Sequence, residues 1–104
     1  MKRPVFWSRD ALNDIKRTTA RIAKDNPAAA RKVAAALRSA GSKLGERATG
    51  RQGRMNGTYE KSIAGLPYII AYALQPVRGG DEAVVILHVI HTARNWTPDA
   101  WPDT

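Results

Sequence analysis

The stretch His91-Thr92-Ala93-Arg94-Asn95-Trp96 is the part of this sequence best equipped for chemistry. It leaves the most apolar run of the chain, Ala83 to Ile90, and sets a histidine, an arginine and a tryptophan where a strand gives way to a loop. Such exits hold functional side chains on a rigid scaffold. His91 can shuttle a proton near neutral pH. Arg94 can grip a phosphate or carboxylate bidentately, and Trp96 can stack on a base. The competing reading is structural: Arg94 ties down a loop and Trp96 closes the core. A second candidate is Gly50-Arg51-Gln52-Gly53-Arg54-Met55-Asn56-Gly57. Arg51 and Arg54, three apart on a glycine-permitted loop, could face a phosphate; equally, the segment is a solvated turn whose glycines serve the backbone. His88 and His91 point to opposite faces of a continuing strand, poor geometry for one metal, and His88 reads as a structural residue satisfied by a hydrogen bond. Nucleophile elbow, P-loop, His-Glu-x-x-His and paired carboxylates are all missing from the sequence. There is no cysteine, which removes thiol catalysis and Cys-based zinc sites. No metal and no cofactor is expected.

Charge narrows the function classes further. The 104 residues carry 17 Lys and Arg against 9 Asp and Glu, a net charge of +8. Residues 1–54 hold 14 basic and 4 acidic side chains (+10), and residues 55–104 hold 3 and 5 (−2). This asymmetry fits a basic face that meets a polyanion or an acidic partner; a solvated Lys/Arg-rich helical surface is the plainer alternative. The length suits one domain spanning residues 1–104. No apolar run reaches the roughly 20 residues of a membrane span. The N-terminal stretch lacks the apolar core of a signal peptide, so the expected compartment is the cytoplasm.

Strands and helices must position these residues. Val5-Phe6-Trp7 reads as a short strand. Ser8 caps a helix of about 16 residues, with Asp10 in its first turn and Ala11, Leu12, Ile15, Thr19, Ile22 and Ala23 at helical spacing. Asn26 caps a second helix that starts with Pro27, carries the stripe Val33, Leu37, Ala40 and Leu44, and is weakened at Gly41 and capped by Gly45. The short link makes these an antiparallel hairpin. Strands follow at Thr58–Ile63, Tyr68–Leu74 and Ala83–Ile90, with a further short one around Arg51–Met55, and the tail from about 97 to 104 is irregular. Helices first and strands later predict an α+β fold: an N-terminal strand, then the hairpin packed on a mainly antiparallel sheet of three to four strands.

Taken together, Trp7-Ser8 before a helix, Asp25-Asn26-Pro27 before another, Gly50-Arg51 through Gly57-Thr58-Tyr59-Glu60, Pro67-Tyr68-Ile69-Ile70-Ala71-Tyr72, and Val85 through Trp96 resemble the RelE/ParE family of toxins from type II toxin–antitoxin modules. The resemblance runs in order from about residue 3 to 98, and the family's fold agrees with the one read from the elements. RelE-like members cut mRNA in the ribosomal A site; ParE-like members poison DNA gyrase and are not nucleases. The nucleases carry an Arg early in the strand that matches Tyr68-Ile69-Ile70-Ala71-Tyr72, and Ile69 stands at that position here. An aliphatic residue cannot stabilise the charge developing on a phosphate. Their C-terminal Tyr is also missing. Arg94 matches a basic residue that both branches keep and does not discriminate.

The resemblance therefore implies a ParE-like gyrase inhibitor, not itself an enzyme, neutralised in a hetero-oligomer by a cognate acidic antitoxin of ribbon-helix-helix type. Target contacts would fall on Arg51, Arg54, His91, Arg94 and Trp96. Antitoxin contacts would fall on Leu12, Ile15, Ile22, Val33 and Leu37, with Arg17 and Arg21 on the rim. The alternative is a ribosome-dependent mRNA endonuclease, with Arg51, Arg54, His91 and Arg94 supplying phosphate binding and acid–base chemistry.

Overall fold

A computed structural model describes residues 3–93. The order of elements is β1 (Val5–Trp7), α1 (Arg9–Ala23), α2 (Pro27–Glu46), β2 (Arg51–Gln52), β3 (Tyr59–Ser62), β4 (Tyr68–Pro76) and β5 (Glu82–His91). The helices start where local chemistry dictates. The Ser8 hydroxyl accepts the Ala11 N–H at 3.0 Å, and the Asn26 side chain accepts the Ala29 N–H at 3.1 Å, with Pro27 next in line.

In place of the predicted three to four strands there are five, in the order β1-β5-β4-β3-β2. The extra strands are the short outer ones. β2 pairs antiparallel with β3, Arg51 opposite Glu60. β1 lies parallel to β5, Val5 opposite Val84 and Trp7 opposite Ile86, and all other pairings are antiparallel. A parallel pair needs a long crossover, and here both helices and three strands supply it.

One face of the sheet takes the helix hairpin. Tyr68, Ile70 and Tyr72 of β4 and Val84, Ile86 and Val89 of β5 form a single buried cluster with Ala11, Ile15, Leu37 and Leu44. Full burial of each large member contributes about 1.5–3 kcal/mol. On the opposite face, Ala71 and Ile90 are buried with Met55 packed on them, so the loop between β2 and β3 folds over that side.

Gly41 and Gly45 have a different role from the one their spacing suggests. The second helix does not stop at Gly45; it continues to Glu46, with Arg47 as its cap. Both glycines face β1. A Cβ at Gly41 would run into the Trp7 ring, and one at Gly45 would stand 2.6 Å from the Arg3 carbonyl oxygen. The Gly45 carbonyl accepts the Arg3 N–H at 2.7 Å. The missing side chains thus let α2 approach β1 and the chain leading into it.

Candidate functional site

The edge of β5 determines where the strand-exit residues go. β1 pairs only as far as Ile86; beyond it α1 takes over. Ser8 ends β1 with its N–H bonded to the Ile86 carbonyl, and its hydroxyl donates to the Leu87 carbonyl at 2.9 Å. Two turns later Asp14 reaches the same edge. Its Oδ2 accepts the Val89 N–H at 2.9 Å and faces His88 Nδ1 at 3.0 Å. Its Oδ1 accepts from the Arg17 guanidinium at 2.6 Å. A carboxylate accepts only, so the His88 proton in this bond sits on Nδ1. His88 Nε2 lies 4.0 Å from Asp10. His88 is 2% exposed, the structural histidine that its position predicts. Asp14 gave a signal in the sequence: it falls within the buried stripe Ala11, Ile15 and Thr18, where a lone carboxylate must have partners.

Beyond this lock, His91 lies on the helix side of the sheet. It is opposite Tyr68 in the β4–β5 register and packs edge-on against that ring, centroids 5.2 Å apart. Its Nδ1 accepts the Ala93 N–H at 3.0 Å. With Arg17, Thr18 and Arg21 of α1 it lines a cleft of about 580 Å³ whose wall includes Val89 and Ile90. Arg94 and Trp96 lie outside the described residues.

Arg51 and Arg54 are elsewhere. Arg51 is paired with Glu60 across β2–β3, and Glu60 is opposite Ala71, on the face that the helices do not cover. Glu60 is 4% exposed. Its carboxylate accepts the Arg54 N–H at 2.9 Å and sits 3.8 Å from both the Arg51 and Arg54 guanidinium groups. The two arginines are brought together, but around an internal acid. The nuclease alternative needs them beside His91, and the sheet separates them from it. Ile69 is on the same face as Glu60, 5% exposed.

The apolar residues expected to meet an antitoxin divide. Ile15 and Leu37 are 4% and 0% exposed, inside the core; the helical stripe that contains them is spent on the sheet, so they offer almost no surface. Val33 packs partly buried against the same cluster, and Ile22 is half-buried. Leu12 is the exposed one, at 47%. It lies in a shallow groove rimmed by Arg9, Lys16 and Arg38. Arg17 and Arg21 are exposed. No group of three or more His, Asp or Glu among the described residues is placed to hold a metal, and no described helix is long and apolar enough to cross a membrane.

Comparison with known proteins identifies the family and supports the fold. The family model for the ParE toxin of the type II toxin–antitoxin system parDE matches residues 5–96. A curated candidate toxin of Sinorhizobium fredii, Y4kP, is 35% identical over 96 residues, which cover 91% of this chain and 94% of that protein. A solved chain of the chromosomal ParDE TA system from P. aeruginosa superposes with a TM-score of 0.74 at 18% identity, covering 86% of this chain and 96% of the other. At that identity the superposition speaks for the fold.

Proposed function

We propose that this chain, which belongs to the ParE toxin family of type II toxin–antitoxin systems, arrests growth by binding DNA gyrase and blocking its cycle. The observation that carries this reading over RNA cleavage is Ile69. At the position where the family's nucleases place an arginine, the chain has a buried aliphatic side chain. It can neither bind a phosphate nor stabilise charge developing on one. The nearby cations add support, since Arg51 and Arg54 are drawn toward Glu60. The family implies an antitoxin partner. With a net charge of +8 on the toxin, an acidic antitoxin is the complement, and opposite charge would speed the encounter. Leu12 in its cationic groove is a suitable apolar anchor for it.

Purified protein is expected to inhibit gyrase supercoiling and to leave mRNA intact on translating ribosomes. Supercoiling assays and toeprinting read the two activities side by side. Codon-dependent A-site cleavage at catalytic protein concentrations, with supercoiling unaffected, would reverse the assignment.

A further inference from the structure

The cleft between the C-terminal half of α1 and the end of β5 has four groups that donate hydrogen bonds and point to one kind of ligand. Thr18 is 7% exposed and lines the cleft. Its hydroxyl makes no hydrogen bond with any described residue, whereas its neighbour Thr19 turns back to the Ile15 carbonyl at 2.9 Å. No buried side-chain nitrogen or oxygen among the described residues lacks a partner, so the Thr18 hydroxyl opens into the cleft, where water or a ligand can bind it. Arg21 lines the same cleft and pairs with no described carboxylate. The Arg17 guanidinium is fixed through one nitrogen by Asp14, leaving its other N–H groups to donate. His91 accepts the Ala93 N–H at Nδ1, so its neutral ring carries the proton on Nε2 and donates from there.

From this arrangement we infer that the cleft is a carboxylate pocket, which takes an Asp or Glu side chain of a partner peptide. Arg21 and Arg17 supply the charge, Thr18 and His91 the additional donors. The one acid in the lining, Asp14, has both oxygens engaged by Arg17, Val89 and His88. It orients Arg17 and has no free oxygen aimed at the ligand. Two features favour a peptide over a nucleic-acid backbone. Val89 forms an apolar part of the wall, which an aliphatic residue beside the acid can cover and a phosphodiester chain cannot. Asp14 also lowers the local excess of positive charge that a run of phosphates needs. The inference rests on the toxin reading only for the source of the peptide, the acidic antitoxin. Peptide binding and gyrase inhibition are read separately, so either can fail alone.

The test uses the full chain, isotopically labelled for NMR, titrated at constant ionic strength with a capped peptide of alternating Leu and Glu. Saturable shifts are expected at the Thr18, Arg21 and His91 amides and at the Arg17 and Arg21 side-chain N–H signals. Thr18→Val, which keeps the size of the side chain, and Arg21→Ala, at an exposed site, should each weaken binding roughly tenfold, the cost of a hydrogen bond to a charged group. Arg78→Ala, on the β4–β5 turn, should leave it unchanged. Equal weakening by all three variants, shifts spread over both helices without saturation, or displacement of the peptide from these signals by a short DNA duplex at lower concentration would overturn the inference.

Discussion

Replacing Asp14 by alanine should be the most damaging single change on α1. The side chain takes the place of the strand that β5 lacks beyond Ile86. Without it, the Val89 N–H and His88 Nδ1–H keep their burial and lose their acceptor. Each orphaned buried donor costs about 1–3 kcal/mol, so the pair costs about 2–6 kcal/mol. The contact with Arg17 adds little, because that side chain is 61% exposed and an exposed pair contributes about 0–1 kcal/mol. Against a total stability on the order of 5–15 kcal/mol, this is a large fraction. At about 4–8 °C per kcal/mol, the melting temperature should fall by on the order of 10–50 °C. Asp14→Asn retains an oxygen for Val89 and should cost roughly half as much. Urea titration gives the energies, and amide exchange at Val89 reports the bond directly. If Asp14→Ala unfolds within about 1 kcal/mol of the parent, or if Val89 exchanges no faster, α1 does not close this edge through its carboxylate.

Two other perturbations test the packing. Gly45→Ala gains helix propensity but drives a methyl group into the Arg3 backbone; the net loss should be about 1–2 kcal/mol by thermal melt, while Ser42→Ala on the exposed side of the same helix should be near neutral. Tyr72 donates to the Thr49 carbonyl at 2.6 Å, and burial, reinforced by Tyr59 and opposed by Arg3, raises its phenol above the ordinary value near 10. The unfolded chain therefore loses this proton first: the contribution is complete below about pH 10 and disappears as pH climbs through the raised value. Tyr72→Phe should cost about 1 kcal/mol at neutral pH and flatten the alkaline fall in stability.

The sequence reveals those parts of the fold that are set by local rules. Ser8 and Asn26 mark the helix starts because a cap needs only its own next three residues. The strands of the β4–β5 hairpin are visible because buried β-branched runs bounded by Pro and Gly have few alternatives. What escapes is set by distant partners. Gly45 has the spacing of a helix stop, and only the approach of β1 turns it into a packing position. Arg51 and Arg54 look like free cations because Glu60 lies across a strand pairing that neither residue announces. Thr18 is indistinguishable from Thr19 until the sheet places one under β5 and the other toward its own helix. The family resemblance groups His91 with the two arginines, and only the sheet puts them on different faces.

The parallel pairing of β1 with β5 also imposes an order on synthesis. Ser8 and Leu87 are hydrogen-bonded although 79 residues apart. Closing a loop of that length costs about 4 kcal/mol of chain entropy before any contact rewards it. The partner strand is among the last parts of the described chain to leave the ribosome, so β1 must wait for it unpaired. During that interval α1 has no strand edge to close, and Asp14 has neither Val89 nor His88 to bind. The cleft beside His91 therefore cannot exist on a nascent chain. The sheet cannot close until β5 has been synthesised, and an activity that depends on this end of the sheet is withheld until then.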